Sequence, residues 1–113
     1  MIEIVVKDYL ESKMDMPVHF EFPKDPPKQM LVINVEIEPR ENFLDSAIVV
    51  VDSYGPSLVE AASLNDSVRK ALDGMVSLPN VSSSKRGVSY PLVDTTNKRY
   101  RYQAVQNITY YEE

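Results

Sequence analysis

Apolar and polar residues alternate along the last third of the chain, from Val88 to Tyr111. A repeat of two residues is typical of a β-strand, because successive side chains of a strand point to opposite faces. The polar stretch Asp94–Lys98 divides this region, so the pattern predicts two long antiparallel strands joined by a turn.

The second of these predicted strands has an apolar face and a polar face. The apolar row contains Tyr100, Tyr102, Ala104, Ile108 and Tyr110, with Gln106 as its polar member. The opposite row contains Arg99, Arg101, Gln103, Val105, Asn107, Thr109 and Tyr111. We expect the first row to pack on the core and the second to be hydrated or to meet a partner.

The N-terminal region predicts one helix and one short strand. Apolar residues recur at helical spacing from Ile2 to Leu10, and this helix should end near Met14, because Pro17 disfavours helical backbone in the residue before it. Val18–Phe22 alternates as a short strand. Three prolines between positions 23 and 27 then exclude a sheet ladder.

The middle of the chain predicts a hairpin. Met30–Glu38 and Asn42–Asp52 are rich in strand-forming residues, and the short polar connection Pro39–Glu41 favours antiparallel pairing. The uninterrupted apolar run Ile48–Val51 is typical of a central strand with both faces covered.

A helix should follow this hairpin. Pro56 suits the first helical position, an apolar stripe runs from Leu58 to Met75, and Gly74 is a helix-ending residue. Asn65–Ser67 lies either inside one helix or at the boundary between two. The polar run Ser82–Gly87 should interrupt the next segment, as a bulge or as a mobile loop.

These elements predict a single α+β domain over residues 1–113. Its architecture is a mostly antiparallel four- to five-stranded sheet with two helices packed on one face, which leaves the other face open. The length of 113 residues is that of one domain with its own core.

Composition narrows the classes of function. The absence of cysteine excludes disulfides and thiolate metal sites and fits a reducing cytoplasm. The net charge of −5 disfavours general attraction to nucleic acid or anionic lipid. The sequence has neither a membrane span nor a signal peptide, so we expect no membrane association.

The sequence offers little catalytic chemistry. His19 is the single histidine, the three glycines are far apart, and no serine lies in a nucleophile motif. We therefore expect no enzymatic activity, no cofactor and no metal. The stretch Lys98–Tyr102 interleaves basic and aromatic residues, as nucleic-acid platforms do. However, the net acidity favours tyrosines in the core and arginines directed to solvent or to an acidic neighbouring subunit.

Three stretches of the second half carry a resemblance to a known family. They are the strand Ser46–Tyr54, the helix segments Glu60–Leu64 and Val68–Met75, and the closing hairpin Asp94–Val105. From about Ile33 to Tyr110 the chain resembles small tail-completion or tail-terminator proteins of long-tailed phages and prophages of Gram-positive bacteria. Members of this family are also described as minor capsid or head–tail joining proteins.

The resemblance implies a structural α+β subunit that forms a ring, commonly a hexamer, at the head-proximal end of the tail tube. Its partners would be copies of itself, the tail tube and head-connector proteins. It would occupy the host bacterial cytoplasm during assembly and then the virion. Two alternatives remain open, namely a head–tail adaptor of the neck and a small non-enzymatic binding module unrelated to virions.

Charged residues of the predicted loops and of the last strand are the sequence's candidates for assembly contacts. They are Arg40, Glu41, Lys85, Arg86, Arg99 and Arg101. Polar loop segments with few apolar anchors are typical of regions that become ordered against a partner.

Overall fold

The structure, a computed structural model, describes residues 1–41, 44–94 and 99–111. Within these ranges the chain forms two α-helices, one 3-10 turn and five strands. Their bounds are α1 Ile2–Met14, β1 Val18–His19, β2 Met30–Glu41, β3 Leu44–Gly55, α2 Leu58–Asp73, the 3-10 turn Gly74–Ser77, β4 Val81–Asp94 and β5 Arg99–Tyr110. This confirms the α+β fold with a five-stranded sheet that the sequence predicts.

The five described strands form one sheet in the order β1-β2-β3-β5-β4. Only the two-residue pairing of β1 with β2 is parallel, and the other neighbouring strands run antiparallel. The strand β3 lies at the centre, as its apolar run predicts. Both predicted hairpins are present, β2 with β3 and β4 with β5.

Both helices pack against one face of the sheet, which we call the helix face. The buried cluster on this face draws on α1, α2, the 3-10 turn and all five described strands. Its members include Val6, Leu10, Leu31, Ile33, Ala47, Val49, Val51, Val68, Leu72 and Ile108. Burying branched aliphatic side chains between two layers is the main stabilising contribution in such a domain.

Local chemistry sets where α2 begins. The N-cap Ser57 accepts a hydrogen bond from the backbone N–H of Glu60 at 3.2 Å, and its hydroxyl donates to Glu60 Oε2 at 2.9 Å. Pro56 therefore precedes the cap instead of occupying the first helical position. A Cβ added at Gly55 would lie 2.9 Å from the backbone nitrogen of Ala61, so glycine permits the close approach of α2 to the end of β3.

The helix α2 runs without interruption through Asn65–Ser67, so the alternative of two separate helices is wrong. Asn65 is buried and its Nδ2 donates to Ser89 Oγ at 2.9 Å, which ties the middle of the helix to β4. Gly74 is the C-cap, as predicted, and Met75 belongs to the 3-10 turn that follows.

The first hairpin is longer than predicted. The strand β2 continues through Pro39 to Glu41, where the sequence predicts a connection, and its register against β3 shifts between Glu38 and Glu41. Proline is tolerated there because β2 has no described strand on its outer side at that level. The predicted start of the next strand, Asn42, lies outside the described residues, and β3 is described from Leu44.

The polar run Ser82–Gly87 is part of β4, so the loop alternative is wrong. The pairing of β4 with β5 shifts register between Val81 and Ser83 and again between Arg86 and Ser89, as the bulge alternative predicts. The second predicted hairpin thus begins at Val81 instead of Val88. Its predicted turn falls mostly on residues 95–98, outside the described ranges.

The apolar row of β5 is buried only along part of its length. Ala104, Gln106, Ile108 and Tyr110 are buried as predicted, but Tyr100 is 40% exposed and Tyr102 is only partly buried. Tyr100 lies opposite Gly55, in the row of the sheet where α2 is only beginning. The prediction of a core position is therefore wrong for Tyr100, because the helix layer ends before the strand does.

Candidate functional site

The sheet face opposite the helices, which we call the outer face, is crossed at one end by residues 20–29, which we call the strap. The Phe22 ring contacts Tyr54 edge-to-face, with 5.5 Å between the ring centroids. Arg99 donates through Nη2 to the backbone carbonyls of Pro27 and Lys28. The sequence had predicted that the whole of this face is open, and the strap shows that one end of it is covered.

Arg99 is the residue that fastens the strap. Its guanidinium lies 5.9 Å from the Phe22 ring centroid and 5.7 Å from that of Tyr54, so cation–π contacts add to its hydrogen bonds. Beneath the strap, Met30 and Tyr54 are 1% and 4% exposed, although both point away from the helices. Arg99 is thus engaged within its own chain and does not extend freely into solvent.

A polar network lies beside the strap, and we call it the outer-face cluster: Asp52, Tyr54, Tyr90, Arg101 and Gln103. Gln103 Nε2 donates to Asp52 Oδ1 at 3.0 Å, and Tyr90 donates to Gln103 Oε1 at 2.5 Å. Arg101 Nη1 lies 3.5 Å from Asp52 Oδ2 and donates to the Tyr54 hydroxyl at 3.3 Å. The register of β3, β5 and β4 brings these residues together across three strands.

Burial dominates the electrostatics of this cluster. It raises the pKa of Asp52 above its ordinary value, because the carboxylate is partly removed from water, while Arg101 and then Gln103 lower it less strongly. The cluster presents a carboxyl group, a guanidinium, a phenol and an amide on one face. Such groups can donate and accept hydrogen bonds with a polar protein surface.

Beyond the strap and the cluster, the outer face carries a short apolar strip among polar residues. Ile48, Val50 and Val105 point to this face and are partly buried, whereas the alternating Val49 and Val51 are fully buried under the helices. The prediction that the run Ile48–Val51 has both faces covered therefore holds fully for Val49 and Val51 and only in part for Ile48 and Val50.

The two basic residues of β4 occupy different faces. Lys85 is exposed and shares a cross-strand row with Asn107 on the outer face. Arg86 points to the helix side, where its Nε and Nη2 both lie 2.8 Å from Asp73 Oδ2 at the end of α2. The bond from Arg86 lowers the pKa of Asp73, against a smaller opposing contribution from burial.

The polar residue Gln106 of the apolar row is satisfied inside the fold. Its Nε2 lies within hydrogen-bond distance of Asp73 Oδ1 at 3.1 Å and of Ser84 Oγ at 3.0 Å. The Ser84 hydroxyl in turn donates to the carbonyl of Leu72 at 2.7 Å. These bonds link β5 and β4 to the end of α2, so Gln106 has a structural role.

The remaining candidates lie at the far end of the first hairpin. Arg40 is exposed, with its Nε 3.6 Å from Asp45 Oδ1. The side chain of Glu41 lies outside the described part of the structure. The six predicted assembly residues thus occupy three separate places, namely the hairpin end, the β4 edge and the outer face, and their role at an interface stays a prediction.

Four members of the outer-face cluster were missed as site residues by sequence reasoning, namely Asp52, Tyr54, Tyr90 and Gln103. A signal for Asp52 exists, because it is an acid directly after the apolar run of a central strand and its alternation directs it away from Val51. Its partners Arg101 and Gln103 come from a strand about 50 residues further along the chain, and only the register brings them together.

An apolar groove lies at the other end of the molecule, beside the first turn of α1. Its lining includes Met1, Val5, Leu78, Tyr110 and Tyr111. Of these, Met1 is 74% and Tyr111 52% exposed. Contiguous exposed apolar side chains of this kind are typical of protein–protein contact surfaces.

Comparison with known proteins assigns no family. No protein-family model matches the chain, and a search of curated proteins finds no match either. Within the described ranges, no group of three or more histidine, cysteine, aspartate or glutamate side chains could hold a metal ion. Neither helix of the described chain has the length and apolarity needed to cross a bilayer.

Proposed function

We propose that this protein is a structural subunit of the phage head–tail junction, a tail terminator that forms a ring at the head-proximal end of the tail tube. The observation that carries the proposal is the half-covered sheet. Helices cover one face, whereas on the other face the apolar side chains of Ile48, Val50 and Val105 are only partly buried, beside a charged and aromatic cluster. A surface of this composition suits a subunit that packs against other protein subunits.

The stretches that resemble the tail-completion family are neighbours in the fold. Ser46–Tyr54 lies within β3, the helical stretches lie in α2 and the following 3-10 turn, and the described part of the closing stretch pairs with β3 as β5. The resemblance therefore covers one connected helix–sheet unit instead of scattered segments. This arrangement supports the proposal at the level of the fold, and the interfaces decide the role.

The net charge of −5 also suits the proposed place. A ring around a DNA channel should not bind the polymer tightly, and an acidic subunit repels phosphate. Strong duplex binding by the isolated protein would contradict this step of the argument.

We propose a terminator instead of an adaptor because the role requires a subunit that stops growth of the tail tube. A subunit stops tube growth when it binds the last tube ring on one side and presents a different surface on the other. An adaptor instead bridges two finished structures, the head connector and the completed tail.

Deletion of the gene from the phage or prophage that carries it tests the proposal. We expect electron micrographs of lysates to show filled heads without tails, beside tubes that are abnormally long or variable in length. A plasmid-borne wild-type copy should restore normal particles. Free tails of normal length would favour the adaptor role, and normal infectious particles would favour a binding module unrelated to virions.

A further inference from the structure

The described sheet has two unlike edges, and each is free over part of its length. On one side β4 pairs with β5 alone. At the other edge, β1 pairs with β2 only at Leu31 and Val32. From Ile33 onward, the side of β2 that faces away from β3 therefore has no described strand beside it. Free strand edges present unpaired N–H and C=O groups to any strand of suitable register.

The two edges carry opposite charges at the same level of the sheet. Glu36 pairs with Ile48, Ile48 with Asn107, and Asn107 with Lys85, so one cross-strand row runs from an exposed glutamate to an exposed lysine. The next row runs from Glu38 through Ser46 and Thr109 to Ser83. Both rows cross regular stretches of the two edge strands, inside the register shifts that bound them.

We propose that the β4 edge of one copy pairs with the β2 edge of the next, with Lys85 opposite Glu36, so that the sheets of neighbouring copies become continuous. The inference rests on the proposed function, because it supplies the contact that would build the ring. Strand direction agrees with it: β2 and β4 run in opposite directions within one sheet, so the new pair is antiparallel.

Charge distinguishes this pairing from the two symmetrical alternatives. Joining two β2 edges places Glu36 and Glu38 of both copies along one seam, and joining two β4 edges does the same with Lys85 of both copies. Like charges across a strand pair destabilise it, and opposite charges stabilise it. The charges therefore favour joining unlike edges, which makes a head-to-tail contact instead of a two-fold dimer.

Register bears on whether such a contact closes into a ring. Because Glu36 and Lys85 end the same row, pairing them adds no shift along the strand direction from one copy to the next. A head-to-tail contact without such a shift can close, whereas a shift at every contact produces an open helical filament.

Disulfide trapping tests the contact, and the chain provides a clean background because it has no cysteine. The double variant Glu36→Cys with Lys85→Cys should give, on oxidation, a ladder of covalent oligomers up to the full ring. A mixture of the two single variants should stop at dimers. The double variant Asn34→Cys with Lys85→Cys, displaced by two residues on the same face, is the register control and should cross-link much less.

A charge exchange tests the same contact without cysteines. Glu36→Lys with Glu38→Lys, and separately Lys85→Glu, should each weaken self-association by roughly tenfold, and the triple variant should recover it. Light scattering over a concentration series gives the oligomer mass. All these positions are exposed, so the monomers should retain wild-type stability.

Three results would overturn the inference: cross-linked dimers from Lys85→Cys alone, a triple variant that stays as weak as its parents, or a wild-type protein that remains monomeric throughout. The test separates this inference from the proposed function. If the deletion lysate contains overlong tubes but the double variant does not cross-link, only the edge pairing is ruled out. If the double variant forms a cross-linked ring but deletion of the gene leaves normal tails, only the terminator role is ruled out.

Discussion

Two aspartate–arginine pairs, one on each side of the sheet, respond to their surroundings in opposite ways. Asp52 and Arg101 on the outer face are 3.5 Å apart, and the pKa of Asp52 is raised. Asp73 and Arg86 on the helix side are 2.8 Å apart, and the pKa of Asp73 is lowered. A neighbouring arginine therefore does not by itself determine how a carboxyl group titrates.

The difference comes from burial and from the geometry of the contact. Arg86 places two nitrogens on one exposed carboxylate oxygen, so its attraction outweighs a small burial effect. Asp52 is more deeply buried and Arg101 lies farther from it, so the effect of burial outweighs the attraction of the arginine and the pKa is raised. A partly buried charge contributes little net stability. The Asp52 carboxylate on the outer face therefore fits the proposed role of this face in recognition of another subunit better than a role in stability.

The largest effects should separate the two ends of one row on β5. Ile108→Ala should reduce the free energy of unfolding by about 2–5 kcal/mol, because it empties a fully covered site under the helices. Tyr100→Ala, in the same row but 40% exposed, should cost under about 1 kcal/mol. Denaturant titration of the two variants measures both values. Equal losses would show that the end of the row is covered after all.

Most of the fold could be predicted from local patterns. Helix α1, the central position of β3 and the pairing of β4 with β5 all follow from periodicity and turn residues. The inclusion of Ser82–Gly87 in strand β4 could not be predicted. These residues are polar, yet Ser84 and Arg86 bond to the end of α2, and those partners are visible only once the helix lies on the sheet.

The candidate site was less predictable than the fold. Arg99 and Arg101 were expected to face solvent or a neighbour, and alternation places both on the outer face as expected. Their partners could not be derived from the sequence. The strap reaches Arg99 from the far edge of the sheet, where β1 and β2 lie. Asp52 meets Arg101 only through the register of β3 and β5.

The strap offers a second, smaller test of the outer face. Arg99→Ala removes the donor to two backbone carbonyls and the cation–π contacts, so it should cost about 1–2 kcal/mol. Amide hydrogen exchange should become faster in residues 20–29 and stay unchanged in α2. Lys70→Ala, at an exposed position of α2, is the matched control and should alter neither measurement. Unchanged exchange in the strap of the Arg99 variant would show that other contacts hold it.

The smallest effects, on the pH dependence of stability, should have opposite signs for the two aspartates. The folded-state pKa of Asp52 is raised, so the folded protein holds that proton more tightly than the unfolded chain does. Its contribution to stability is present at pH values below the ordinary carboxyl pKa and is lost as pH rises through the raised value.

The pKa of Asp73 is lowered, so its contribution is present above the ordinary carboxyl pKa and is lost as pH falls through the lowered value. Unfolding titrations of the wild type, Asp52→Asn and Asp73→Asn across the acidic range measure both slopes. As pH rises, the stability of the wild type relative to Asp52→Asn should fall, whereas its stability relative to Asp73→Asn should rise. Because Arg101 opposes the shift at Asp52, Arg101→Gln should raise that pKa further, as carboxyl NMR titration would detect. Stability that rises with pH relative to both variants would mean that the nearby arginine outweighs burial at both sites, and the contrast between the faces would be lost.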